Sequence, residues 1–478
     1  MKRAGWWALA LGGAALLFAV HARLQAAPGP GDPLGEKPGG DTTVQANGKN
    51  AFSFPAANLS DEERTRFVIG NSFFKRNWVE APASTTARDG LGPHFLARSC
   101  AGCHLFDGRG APPAFSRGLS AEQPLALLIR LSVPGTGAHG EPKHEPVYGE
   151  QFNTAAVQNV RPEGEVRMRW TPVPGHFADG TRYTLQQPHY ELRQLAHGAL
   201  DPRTMTSPRV APQVMGVGLL ESIAEADILA NAERQAAQPG PIKGQPNQVW
   251  DAFAERVMVG RFGWKANVAT LAHQTAGAFN GDIGITSRQF PSETCTPAQT
   301  DCLQAPKGSK AGQPEVDDET LGQVVFYQAT LAPPARRNAR DPRVLQGQQL
   351  FAQAQCAACH RPSYTTAEGP FPRLTSKALQ GQTIWPYTDL LLHDMGERLA
   401  DGRPDFLASG RQWKTPALWG IGLFKDVNGH TRLMHDGRAN GVLEAILWHG
   451  GEAEASRQQV LQMKKPERQA LVEFVESL

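Results

Sequence analysis

The chain has 478 residues, of which about 40% are hydrophobic and 20% charged, and a formal net charge of +2. That length holds two or three ordinary domains, and the balance is that of a soluble globular protein. A near-neutral chain without a clustered basic surface excludes nucleic acid as the expected partner.

The first residues read "MKRAGWWALALGGAALLFAVHARLQAAPGP". Lys2 and Arg3 precede an apolar run from Trp6 to Val20, and the small residues Ala26 and Ala27 follow. Residues 1–27 therefore read as a signal peptide or a retained N-terminal anchor. The chain is expected to be exported to the periplasm, soluble or tethered to a membrane through this segment. Residues 28–50, rich in Gly, Pro and polar side chains, read as a flexible leader. "TRFVIGNSFFKRNW" predicts an amphipathic helix. From about 105 to 210 the chain is dense in Pro and Gly, with strand-like pieces at "GEVRMRWTPV" and "TRYTLQQP". "SIAEADILANAERQ" and "EVDDETLGQVVFYQATL" predict helices, and the prolines of "LAPPARRNARDP" end the second and form a linker. "RVLQGQQLFAQAQCAACH" predicts a helix running into a cysteine motif, and "PERQALVEFVESL" a closing helix. The expected organisation is a first domain over 51–340 and a second over 341–478. Each has a helix before its cysteine motif and a helix at its end.

Four of the six cysteines fall in two copies of Cys-x-x-Cys-His: Cys100, Cys103 and His104, then Cys356, Cys359 and His360. Two thiols three positions apart each add across a vinyl group of one porphyrin, and the next histidine coordinates the iron. A redox dithiol has no use for a histidine after both second cysteines. One zinc ion bound by both pairs would leave the histidines over. In an exported chain the motifs predict two covalently attached c-type haems; calcium is left open. Cys295 and Cys302 enclose a short polar loop and are expected to form a local disulfide. The expected fold class is mainly α: two cytochrome c-like haem domains, the first with a large loop-rich insertion containing some β.

"ARDGLGPHFLARSCAGCHLFDGRGAPP", "GRFGWKANVATLAHQTAGAFNGDIGITS", "YTDLLLHDMG" and "HDGRANGVLEAILWHGGEA" closely resemble the bacterial dihaem oxidoreductases. Members of that family are often labelled thiol oxidoreductases, and they are distant relatives of dihaem cytochrome c peroxidases. The resemblance runs from about residue 60 to the end. In the peroxidase relatives a haem-bridging Trp precedes a distal-pocket Gln by ten residues, as Trp264 precedes Gln274 here. The resemblance implies that Trp264 lies between the haems, that Gln274 faces the first haem, and that Asp282 is the nearest match to the relatives' catalytic acid. The relatives' second distal ligand, usually Met, stands fourteen residues past the His of "HDG"; from His435 that position is His449. His in place of Met lowers the potential of that haem. His144, His176 and His189 are candidates for the relatives' mobile distal histidine. His393 is expected to have a structural hydrogen-bonding role, and Met395 and Met434 to fill core.

The expected function is that of a peroxidase-like dihaem oxidoreductase. It would take peroxide or another small oxidant at the first haem and electrons through the second from a small cytochrome or cupredoxin. A pure electron-transfer cytochrome and a haem oxygenase acting on an organic substrate are the alternatives. A thiol oxidoreductase in the literal sense has no cysteine left to use.

Overall fold

The computed structural model describes residues 32–85, 88–110, 126–308 and 313–478. The segment read as signal peptide or anchor lies outside them. Among the described residues no helix is long and apolar enough to cross a membrane.

Two helix crossings frame the cysteine motifs. Ser60 and Glu63 cap reciprocally, the Glu63 amide donating to Ser60 Oγ at 3.3 Å and the Ser60 amide to Glu63 Oε2 at 3.0 Å. This starts the helix Asp61–Lys75, whose buried residues Phe67, Gly70 and Phe74 recur at helical spacing. They pack on the helix Asp318–Ala329, with ring centroids of Phe67 and Phe74 4.7 and 5.2 Å from that of Tyr327. The approach requires glycine: a Cβ on Gly70 would sit 2.1 Å from the Gln323 carbonyl oxygen. The helix Pro342–Gln353 crosses Lys465–Ser477 in the same manner. A Cβ on Gly347 would lie 1.9 Å from the Ala470 carbonyl oxygen, and Phe351 meets Phe474 at 5.2 Å. Each crossing sets one phenylalanine behind a motif histidine: Phe74 is 6.2 Å from His104, and Phe351 6.2 Å from His360.

The expectation of a mainly α chain does not hold. Helix accounts for 31% and strand for 21%, the strands spread over many small sheets. The strand Leu127–Thr136 pairs antiparallel with Met205–Val210, from Val210 opposite Leu127 to Met205 opposite Ser132, and Gln151–Phe152 pairs with it at Ile129 and Arg130. Leu127, Ile129 and Leu131 are buried in alternation with half-buried Leu128 and Arg130, the period of a strand with one face on the core. A long hairpin joins Glu165–His176 to Arg182–Arg193. Pro172, Pro174 and Pro188 lie inside it. In a two-stranded ribbon both strands are edges, so a missing N–H need not break a ladder. The pieces "GEVRMRWTPV" and "TRYTLQQP", read as strand-like, lie in this ribbon despite their prolines.

Residues 32–50, read as a flexible leader, make contacts with distant parts of the chain. The Trp385 amide donates to the Pro38 carbonyl at 2.8 Å, the Asp41 amide to Gln382 Oε1 at 2.8 Å, and the Ala335 amide to the Val44 carbonyl at 2.8 Å. Glu36 pairs with Arg340 at 3.0 Å. The backbone polar groups of a segment with few apolar side chains are met by distant residues, which composition does not reveal.

Candidate functional site

Both cysteine motifs fold into the same turn. The His104 amide donates to the Cys100 carbonyl at 2.9 Å, and the His360 amide to the Cys356 carbonyl at 2.9 Å. Each turn sets two thiols and one imidazole on the wall of a cavity. The four motif cysteines are unbridged, whereas Cys295 and Cys302 form a disulfide with Cα atoms 5.7 Å apart. Burial pushes the thiols of Cys100, Cys103 and Cys356 up to about 12. That is the reverse of the depressed thiol pKa that a reactive dithiol uses.

Three histidines share one hydrogen-bond pattern. Nδ1 of His104 donates to the Pro212 carbonyl at 2.7 Å, that of His360 to Tyr387 at 2.9 Å, and that of His449 to Ala445 at 2.7 Å. A carbonyl only accepts, so the proton sits on Nδ1 and Nε2 keeps its lone pair. Burial lowers all three pKa values, His360 to about 4, so the rings are neutral. His104 lines the first cavity; His360 and His449 line the second and lie close enough for their charges to interact. His449 follows directly on the helix Val442–Trp448, where the chain turns extended before Gly450. Neutral imidazoles with oriented Nε2 atoms beside paired thiols are the donor set that two c-type haems need. The residues fit that group.

Measured as room for the centre of a water molecule, the first cavity is about 980 Å³ and the second about 180 Å³. Trp264 borders both. It is 9% exposed, its Nε1 donates to the Val210 carbonyl at 2.8 Å, and the Arg109 guanidinium lies 4.9 Å from its ring centroid.

Gln274 sits on the helix Leu271–Ala278, which Thr270 caps by accepting the His273 amide at 3.2 Å. The helix is tied to its neighbour by Gln328 Nε2 donating to Thr275 Oγ1 at 2.9 Å. Gln274, Gly277 and Ala278 share the face turned to the first cavity, and the Gln274 amide group makes no hydrogen bond to a described residue. The next turn, Phe279–Ile283, widens to π geometry and carries Asp282 into the same cavity. Asp282 Oδ1 accepts from Gln151 Nε2 at 3.0 Å. Burial holds its carboxyl above the ordinary value despite Arg130 and the Gln151 hydrogen bond. The Asp282 carbonyl accepts the Leu96 and Ala97 amides at 2.8 and 3.2 Å, which anchors this turn to the segment entering Cys100.

Of the three histidines named for a distal role, His144 lines the first cavity, 4.0 Å from Glu150. His176 and His189 are exposed on the hairpin and are not among the lining residues. Met395 and Met434 line the second cavity beside His449. His393 is clamped, Nε2 2.9 Å from Asp389 and Nδ1 2.7 Å from Glu452. Burial opposes its charge, but Asp389 and its other partners hold its pKa well above 6.5. Cys359, Asp389 and His393 lie close enough together to hold an ion. Both imidazole nitrogens of His393 already face carboxylates, which leaves no lone pair for one.

Several lining residues escape motif reasoning. Arg130 and Gln151 come from the strands and Glu150 from the turn before Gln151; Arg130 and Glu150 pair at 2.9 Å over the first cavity. His139 stacks on Trp250 at 4.0 Å in the same wall. The polar–apolar alternation of "LLIRLS" is the signal that places Arg130 opposite the core. Arg109 and Lys414, in the second cavity, carry no such signal.

The family model described as "Di-haem oxidoreductase, putative peroxidase" matches residues 34–153 and 196–478. The unmatched residues 154–195 contain the whole of the long hairpin. No curated protein and no solved structure matches the chain. A family match over most of the length meets two cavities, each walled by a Cys-x-x-Cys-His turn, and the chain is thereby a member of the di-haem oxidoreductase family, an enzyme that carries two haems.

Proposed function

We propose that this protein is an exported peroxidase that reduces peroxide in the first cavity with electrons received through the second. Cys100 and Cys103, and Cys356 and Cys359, would hold the haems as thioethers, with His104, and His360 with His449, as iron donors. The bound haems supply the redox chemistry, two electrons and two protons converting hydrogen peroxide to two waters.

The supporting observation is the asymmetry of the cavities. The second is narrow and sets His449 with His360. The first is roomy and presents, with His104, the uncommitted amide of Gln274 and the buried carboxyl of Asp282. Gln274 would donate a hydrogen bond to an oxygen of the oxidant. A carboxyl with a raised pKa holds a proton more readily at neutral pH, and Asp282 would deliver it to the departing oxygen. Trp264, bordering both cavities, would carry electrons from one to the other. A small cytochrome or cupredoxin is the proposed donor, in the periplasm, with the N-terminal segment cleaved or serving as a tether.

The test is peroxide-dependent oxidation of a reduced small cytochrome by the mature protein. Turnover that falls by about 10²–10⁴ in Asp282→Asn supports the acid role. Haem-replete protein that never oxidises the cytochrome on adding peroxide contradicts the reading.

A further inference from the structure

Three of the five arginine and lysine side chains that line the two cavities form ion pairs. In the first cavity Arg130 lies 2.9 Å from Glu150, and Arg209 2.8 Å from Asp405. In the second, Arg457 lies 2.6 Å from Glu454. Arg109 and Lys414 are the exceptions: among the described residues neither forms an ion pair with a carboxylate, and both line the second cavity.

Arg109 is 3% exposed. One of its terminal nitrogens donates to the Met434 carbonyl, and its Nε has no partner among the described residues. Its guanidinium covers Trp264. Lys414 flanks the same residue, its amide donating to the Trp264 carbonyl at 2.9 Å, while its ammonium makes no hydrogen bond to a described residue. Burial lowers Lys414 to about 8 and Arg109 to about 9. Asp436 attracts Arg109 and Asp389 attracts Lys414, but neither carboxylate forms an ion pair with its cation. Taking a charge out of water without close pairing costs several kcal/mol, and an anion bound between the two cations would offset that cost. The rest of that cavity includes the apolar side chains of Phe351, Leu399, Ile421 and Phe424. The matching ligand is a flat apolar body with carboxylates at one edge.

We infer that Arg109 and Lys414, which both touch Trp264, bind the propionate carboxylates of the haem held by His360. This rests on the reading that the second cavity holds a haem, and it assigns the charges that anchor the haem edge beside the bridging tryptophan. The charge-assisted hydrogen bonds so formed are about twice as strong as neutral ones. A cation near the haem disfavours the extra positive charge of ferric iron, so its removal favours the ferric form.

The experiment compares the wild-type holoprotein with Lys414→Gln, Arg109→Gln and the charge-retaining Lys414→Arg. Mass spectrometry counts covalent haems, and spectroelectrochemistry gives the potential of each. With two haems present, each Gln variant should shift the second haem's ferric/ferrous ratio about tenfold toward ferric, about 59 mV for one electron. Lys414→Arg should shift it less than threefold. If a Gln variant matures without the second haem while Lys414→Arg retains it, the pairing is equally supported. Two-haem Gln variants with unshifted potentials overturn the inference, as does a Lys414→Arg shift as large as that of Lys414→Gln. A wild type with fewer than two covalent haems would instead sink the reading of the cavities.

Discussion

Trp264→Phe separates the chemistry of the two cavities. The indole Nε1–H donates to the Val210 carbonyl at 2.8 Å within a side chain that is 9% exposed. Phenylalanine keeps an aromatic face under Arg109 but removes that donor. Leaving a buried carbonyl without its partner costs about 1–3 kcal/mol. The stacked guanidinium contributes about 0.5–2 kcal/mol and is partly retained on a phenyl ring. The variant should therefore fold, with a loss near 2 kcal/mol that is small enough to leave both haems attached. Its kinetic effect lies elsewhere. Stopped-flow mixing of reduced protein with peroxide should show the first haem reacting at its wild-type rate. Arrival of the oxidising equivalent at the second haem should slow tenfold or more, equivalent to about 1.4 kcal/mol on that barrier. Trp264→Tyr, whose phenol is more readily oxidised than a phenyl ring, should slow the second phase less. Equal slowing of both phases in Trp264→Phe would mean general damage to the wall. An unchanged second phase would mean that electrons do not pass through this side chain.

Gln274→Leu should give the opposite pattern, a slower first phase and an intact second one, in the same stopped-flow trace. His449→Ala should turn one low-spin haem high-spin and leave the other unchanged, and His449→Met should raise the potential of that haem because thioether favours ferrous iron; visible spectra and redox titration report both. Mature protein should carry two haem masses that survive denaturation and acidified solvent, and Cys356→Ser with Cys359→Ser should remove one. Gly347→Ala forces a methyl against the Ala470 carbonyl and should cost about 1–3 kcal/mol, read from denaturant midpoints of the holoprotein.

The helices around both motifs were legible because their signals are local. Apolar residues at helical spacing, an acid or serine at the start and a glycine at the crossing point mark Asp61–Lys75 and Pro342–Gln353. The strand content was legible only in part. The two arms of the long hairpin showed as strand-like pieces, whereas the pairing of Leu127–Thr136 with Met205–Val210 joins residues some eighty apart and leaves no local signal. The packing of residues 32–50 was hidden for a related reason: its partners near 335 and 382 contribute mostly backbone and amide groups, which leave no hydrophobic pattern. Within the site, the spacing of Trp264, Gln274 and His449 from recognisable motifs was enough to name them. The walls were beyond that method. Arg130 and Gln151 arrive from strands and Glu150 from the turn between them, and Arg109 and Lys414 stand out only once their lack of a close ion pair among the described residues is seen.

The asymmetry of the two cavities is tested most directly by adding carbon monoxide to the fully reduced holoprotein and counting the haems whose spectra change. The expected result is one: the first haem should bind, because no second imidazole is proposed with His104, and the second should not, because His449 would join His360 as an iron donor. Binding at neither haem would make the protein an electron carrier, and binding at both would remove His449 from the ligand set.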